Sequence, residues 1–191
     1  MDKLLKNVLS CMRTKGLLDE NEEDVYRFGL ECLLLEVVHY LSYIVIGFAM
    51  RMIIPMIVTA MVLIPLRRKS GGFHARTRSG CYLFSCSIVV AVCLLDKIIF
   101  PLWLCTATTF GANAIIFAFA PIENKNRTLD QDEQKKFRKQ ALIILVLADM
   151  AIIISYKIHI EVCQWLLNGM IVAVLLNLCG KIQTKCRAYK N

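Results

Sequence analysis

Apolar residues in this chain arrive in long, nearly unbroken blocks: Phe28 to Met50, Met52 to Leu66, Cys81 to Leu95, Ile98 to Ala120, Ala141 to Tyr156 and Val162 to Gly180. Short charged segments separate them. This pattern constrains the fold more than any single motif, because a backbone placed in hydrocarbon has to satisfy its hydrogen bonds internally. A helical crossing needs roughly 20 predominantly apolar residues. With 57% hydrophobic residues and a mean hydropathy of +0.56, 191 residues leave room for several such helices and little else. The expected architecture is all-α: one polytopic membrane domain over residues 1–191, with about six transmembrane helices in a bundle at 28–180. A short interfacial helix and linker at 1–20 precede it, and a basic tail at 181–191 follows.

The N-terminal segment places Leu4, Leu5, Val8, Leu9 and Met12 at helical spacing among Lys3, Lys6, Arg13 and Lys15. That predicts an amphipathic helix over Asp2 to Lys15, lying on an anionic leaflet or packed on the bundle. No cleavable signal peptide is expected in residues 1–27, where charge is scattered and no apolar core is long enough. An acidic cluster from Asp19 to Asp24 follows, with Asn21 as a candidate N-cap. The second apolar run is short for a crossing, contains Pro55 and ends at Pro65, which suggests a tilted, kinked or partly re-entrant segment.

Lysine and arginine set the orientation. One group of loops holds Arg67, Arg68, Lys69, Arg76 and Arg78, then Lys125, Arg127, Lys135, Lys136, Arg138 and Lys139, and finally the basic tail. The opposite loops hold Arg51, Lys97 and Lys157. Six spans with both termini in the cytoplasm satisfy the positive-inside rule at every turn. The net charge of +8 therefore belongs to topology, and no nucleic-acid partner is expected. Cys32, Cys86, Cys93, Cys105, Cys163 and Cys179 lie within apolar runs and read as packing residues. No cysteine/histidine spacing suits zinc, so neither a metal nor another cofactor is expected.

Chemistry concentrates in the basic, glycine-punctuated segment Arg67-Arg68-Lys69-Ser70-Gly71-Gly72-Phe73-His74-Ala75-Arg76-Thr77-Arg78-Ser79-Gly80-Cys81. A thiol attacks a carbonyl as thiolate, which a neighbouring imidazolium, cationic side chains and a helix N-terminus all favour. Cys81 stands at the start of an apolar run, where the helix dipole stabilises an anion and adjacent amides offer an oxyanion site. On one straight helix His74 and Cys81 would stand about 10 Å apart. The segment must therefore fold back, with Gly71, Gly72 and Gly80 as the residues that permit it. Taken alone, a histidine and a cysteine in a loop are also compatible with interfacial side chains of no catalytic role.

The pattern Arg67-x4-Gly72-x-His74-x6-Cys81, on the cytoplasmic edge of a small protein with six apolar runs, resembles the AgrB family of quorum-sensing peptidases. A second resemblance lies in Ala120-Pro121-Ile122-Glu123-Asn124-Lys125-Asn126-Arg127. The resemblance implies a cysteine endopeptidase of the bacterial cell membrane, active at the cytoplasmic face, that trims an AgrD-like propeptide with an acidic C-terminal tail. Cys81 would be the nucleophile and His74 the general base. An acyl thioester on Cys81 would then be attacked from within the substrate, closing a thiolactone or lactone ring. The family also implies a homodimer. Arg67, Arg68, Arg76 and Arg78 are candidates for holding the acidic tail, with Arg67 favoured by the motif and Gly72 assigned to the backbone turn. Glu36, Glu123 and Asn124 are candidates to orient His74, although Glu36 is equally suited to a bond with His39 on its own helix. Asp149 is placed to bond across helices or to line a peptide path.

Two other classes fit the same residues. An exporter of the signal peptide without proteolysis is suggested by Glu31, Glu36, Asp149 and the proline-broken runs, and a membrane scaffold would need none of the chemistry. Substitution of Cys81 discriminates between them.

Overall fold

The computed structural model of the chain describes residues 2–16, 18, 23–73, 75, 77–98, 100–122 and 129–188. Seven helices carry it: α1 (Asp2–Thr14), α2 (Glu23–Ala49), α3 (Ile53–Ser70), α4 (Arg78–Leu95), α5 (Leu102–Phe119), α6 (Gln131–Ile158) and α7 (Ile160–Ala188). The six apolar runs have become α2 to α7. Five of these, α2, α4, α5, α6 and α7, are long and apolar enough to cross a membrane. The helix left out of that set is α3, whose last turn carries Arg67, Arg68 and Lys69.

Several helix ends differ from the expectation. The second apolar run does not stop at Pro65: α3 continues through it to Ser70, so the three cations lie on helix rather than in a loop, where they complement the C-terminal dipole. Pro55 falls in the first turn of α3, where a missing N–H leaves no bond unmade. The polar stretch expected to be a loop up to Gln140 is already helical from Gln131. Asp130 caps it, its Oδ1 accepting from the Glu133 amide at 2.7 Å, and the first three turns of the helix are charged. The candidate cap Asn21 lies outside the described residues.

Packing divides the chain into two units, Met1–Val45 and Ile46–Asn191. In the first, α1 is amphipathic as expected: Leu5 and Leu9 are buried, whereas Lys6, Asn7, Ser10 and Arg13 are exposed. Arg13 pairs with Glu23 at 3.8 Å, and Arg27 with Glu31 at 3.7 Å. Polar groups on α2 find partners within the helix. Tyr40 donates to Glu36 Oε1 at 3.1 Å, and His39 Nδ1 bonds the Leu35 carbonyl at 2.6 Å. Glu36 therefore has a partner at i+4 on its own helix.

In the second unit α7 is the central helix, and most of it is buried. Val62 and Leu66 of α3, Ala112 and Ile116 of α5, and Ala141 and Leu145 of α6 pack with Leu167, Met170 and Ala173 of α7 in one core. Thr59 of α3 donates to the Trp165 carbonyl, and eleven residues later the Ser70 carbonyl accepts from Asn177, so α3 and α7 run parallel. α5 shares their direction: Gln164 bonds the Ile98 carbonyl before it, and Ile122 after it meets Ser70. α4 and α6 return. Asn113 of α5 donates to Asp149 of α6 at 2.8 Å, the interhelical bond anticipated for that acid. Cys93, Cys105 and Cys163 are buried, as packing residues should be. Cys86 is half-buried, whereas Cys32 and Cys179 are exposed, so the packing role does not extend to these two.

Candidate functional site

The parallel course of α3, α5 and α7 brings their C-terminal ends to one end of the bundle. Basic residues gather there from three distant segments. Lys69 lies over the Phe137 ring at 4.9 Å, Arg138 over Phe117 at 5.4 Å with its Nη2 donating to the Phe117 carbonyl, and Lys181 over Phe119 at 3.3 Å. Each cation sits on an aromatic face that attracts it. The far end of the same helices holds Arg51, Lys97 and Lys157.

The basic, glycine-containing segment links α3 to α4 at the crowded end. It is not a straight helix: α3 stops at Ser70 and α4 starts at Arg78, with Gly71 at φ 75 and Gly72 at φ 153 between them. The required bend is therefore present. At Gly71 a side chain is excluded twice over, since the backbone is left-handed and a Cβ would stand 2.3 Å from the Ile122 carbonyl oxygen. Gly80 does a different job from the one expected. It is already helical, in the first turn of α4, where a Cβ would stand 2.8 Å from Thr77 Oγ1. The absence of a side chain there makes room for the helix cap, in which Thr77 Oγ1 accepts from the Gly80 amide at 3.1 Å.

Cys81 follows that cap, half-buried, with its amide donating to the Thr77 carbonyl at 3.0 Å. The dipole of α4 favours negative charge at this position. The amides of Gly80 and Cys81 are both occupied by Thr77, however, so an oxyanion site built on them is not available in this geometry. Arg78 is exposed in the same first turn. His74, Arg76, Glu123 and Asn124 lie outside the described residues.

Phe73, the residue before His74, is fixed on every side. Its amide donates to the Leu176 carbonyl of α7 at 2.8 Å, and its carbonyl accepts from Arg67 Nη2 at 2.9 Å. Its ring packs at 4.9 Å against Phe84, one turn beyond Cys81. The stretches flanking His74 and Cys81 are therefore in contact. Arg67, expected to hold substrate charge, makes this structural bond within the loop. Arg68 is exposed at the same end.

The two sequence signatures also meet. The Ile122 amide donates to the Ser70 carbonyl at 2.9 Å, and Gly71 bridges Ile122; the Ala120–Pro121 peptide between α5 and this contact is cis. Far apart in sequence, the start of the Ala-Pro-Ile segment and the glycine turn form one structure.

Reading the sequence did not single out α7 as the platform for this turn. Asn177, fully buried, donates to the Ser70 carbonyl at 2.9 Å. Gly180 admits the loop backbone, because a Cβ there would lie 2.6 Å from the Gly72 carbonyl carbon. The available signal was the cost of an amide side chain inside an apolar run, which Asn177 shares with Asn168 and Gln164.

Comparison with known proteins agrees with the signatures. The family model for accessory gene regulator B, AgrB, matches residues 2–180. An AgrB-like protein of Clostridium perfringens (strain SM101 / Type A) is 22% identical, over 96% of this chain and 90% of its own length. AgrB-like protein 2 of Clostridium perfringens (strain 13 / Type A) is 23% identical, over 73% of this chain and 71% of its own. No solved structure gives a significant match. With a match that reaches all seven helices and covers both signatures, the chain belongs to the AgrB family.

Proposed function

We propose that the chain is a membrane-embedded cysteine endopeptidase that removes the C-terminal tail of an AgrD-like propeptide and promotes its cyclisation. Membership of the AgrB family supports a part in agr quorum sensing. The observation that carries the finer reading is the contact of Phe73 with Phe84. It folds the residue before His74 onto the helix turn after Cys81, as proton transfer between the two side chains requires.

In this reading His74 takes the proton of the Cys81 thiol, and Sγ attacks the carbonyl that precedes the tail. The C–N bond breaks, the tail amine leaves with the proton from His74, and the signal peptide remains as an acyl thioester on Sγ. A thiol or hydroxyl of that peptide attacks the thioester carbonyl in turn. Its proton returns to the Cys81 sulfur, and a thiolactone or lactone ring closes. Exchange of one thioester for another is nearly isoenergetic, so the acyl activation survives if water is kept away. A half-buried thiol at the end of a lipid-embedded helix suits that need. The acidic tail is attracted by Arg67, Arg68, Arg76 and Arg78 together with the cations of α6 and α7. The crowded basic end faces the cytoplasm, in a bacterial cell membrane, and the working unit is a homodimer. Glu123 or Asn124 orients His74.

The test is reconstitution of the purified protein in liposomes with a candidate propeptide. Wild type should cleave it and yield a Cys81 acyl adduct by mass spectrometry. Cys81→Ala and His74→Ala should each abolish both while insertion and protein level persist. Undiminished cleavage in Cys81→Ala would overturn the mechanism, and peptide export that survives in Cys81→Ser without any cleavage would favour the exporter.

A further inference from the structure

Asn177 lies fully buried towards the end of an apolar run, where leucine would fill the same space without bringing a polar group into the core. We propose that Asn177 is a positioning residue for the His74–Cys81 pair, acting through the carbonyl of Ser70; the inference rests on the peptidase reading above.

Ser70 is the last residue of α3, so its carbonyl is one of those a helix leaves without an internal partner. Both of its lone pairs are used: Asn177 Nδ2 donates at 2.9 Å and the Ile122 amide at 2.9 Å. The chain then makes a close contact at every step towards the histidine. Gly71 meets Ile122, Gly72 lies against Gly180, and the Phe73 amide bonds the Leu176 carbonyl. Residues 176, 177 and 180 belong to a single helical turn of α7, the most buried helix of its unit. That rigid turn therefore fixes residues 70, 72 and 73, and His74 is the next residue. Asn177 is the one side chain of α7 in this set whose contribution is a hydrogen bond, while Leu176 lends its backbone and Gly180 its lack of a side chain. Its Oδ1 has no partner among the described residues. The amide is thus retained for the bond its nitrogen makes and not for a fully satisfied polar network.

The experiment uses the full chain in liposomes and two readouts: propeptide cleavage, and alkylation of Cys81 by iodoacetamide across pH, followed by mass spectrometry. Cys163, buried in the core, reports folding by staying unmodified. With His74 as its base, Cys81 is alkylated faster than an unassisted thiol, so wild type and His74→Ala should give separate profiles. Asn177→Leu keeps the volume and removes the donor. It should move the Cys81 profile to that of His74→Ala and lower kcat by about 10- to 100-fold with KM nearly unchanged, as a small misplacement of reacting groups does. Asn177→His, which restores an N–H at similar reach, should recover the wild-type profile. A merely structural role would expose Cys163 and leave the profile of the folded molecules alone.

Coincident profiles for wild type and His74→Ala would sink the peptidase reading, and the role of Asn177 with it. Separate profiles, with Asn177→Leu matching wild type, would overturn the role of Asn177 and leave the peptidase standing. Should Asn177→Leu expose Cys163, Gly180→Ala decides in its place. Its new methyl displaces Gly72 without touching the amide, and it should reproduce the His74→Ala profile; a wild-type profile there would refute the docking of the loop on α7.

Discussion

The two ends of α7 handle the same problem differently. Near its start, Gln164 and Asn168 reach out with side-chain amides to the α4–α5 turn, at the Ile98 carbonyl and the Asp96 carboxylate. Among the described residues, both of these tethers are made by side chains of α7. Near its end, Asn177 again supplies an amide, but the α3–α4 loop also lays its own backbone on the helix, through Phe73 to Leu176 and through Gly72 against Gly180. Side-chain tethers tolerate small shifts, because rotatable bonds absorb them. Backbone contact at glycine does not. The difference fits the proposed peptidase, in which the second connection has to hold a position for reacting groups, whereas the first has only to close.

The largest effect should come from attacking that position directly. Gly71→Ala places a methyl 2.3 Å from the Ile122 carbonyl oxygen in a left-handed backbone, so the turn cannot keep its contact with the Ala-Pro-Ile segment. Cleavage should fall by about 100-fold or more, with the protein still inserted and Cys163 still protected from alkylation. If Gly71→Ala cleaves within a few-fold of wild type, backbone contact at this end is not what holds the site.

The opposite end should respond in stability alone. Asn168→Leu removes the donor to Asp96 Oδ1 and leaves a half-buried carboxylate short of a partner, at a cost of about 1–3 kcal/mol. Unfolding of the purified protein in detergent should register that loss. Cleavage per folded molecule should not change. A kcat deficit as large as that expected for Asn177→Leu would erase the distinction between the two ends.

The same contrast governs what could be read from sequence. Apolar runs announce helices because lipid leaves the backbone few alternatives, and α2 to α7 follow them. The ends of helices were less legible. Pro65 and the polar residues after Asp130 looked like terminators, yet α3 passes the first and α6 begins within the second, because caps and helix packing outweigh local propensity. The Arg67 to Cys81 segment was recognisable as chemistry, and its need to bend followed from spacing. What it rests on was not recognisable: Asn177 and Gly180 lie about 100 residues away and acquire meaning only when α7 runs parallel to α3. For Gly80, too, the sequence offered a bend where the structure has a cap, since no local pattern shows that Thr77 Oγ1 needs the space of a missing Cβ.

The smallest expected effect tests the contact between loop and α4. Phe73 and Phe84 stack with centroids 4.9 Å apart and ring planes tilted by 57°, an arrangement that contributes about 0.5–1.5 kcal/mol beyond simple burial. Phe84→Leu keeps an apolar side chain and loses the ring pair. If that pair holds residue 73 against the turn after Cys81, kcat should fall by roughly 2- to 12-fold, the same energy expressed as a population. Phe84→Tyr, which keeps the ring, should be nearly silent. The effect must stay below that of Gly71→Ala, because α7 continues to grip the loop through Leu176 and Asn177 when the ring is gone. Equal losses in Phe84→Leu and Gly71→Ala would mean that α4, and not α7, positions the loop.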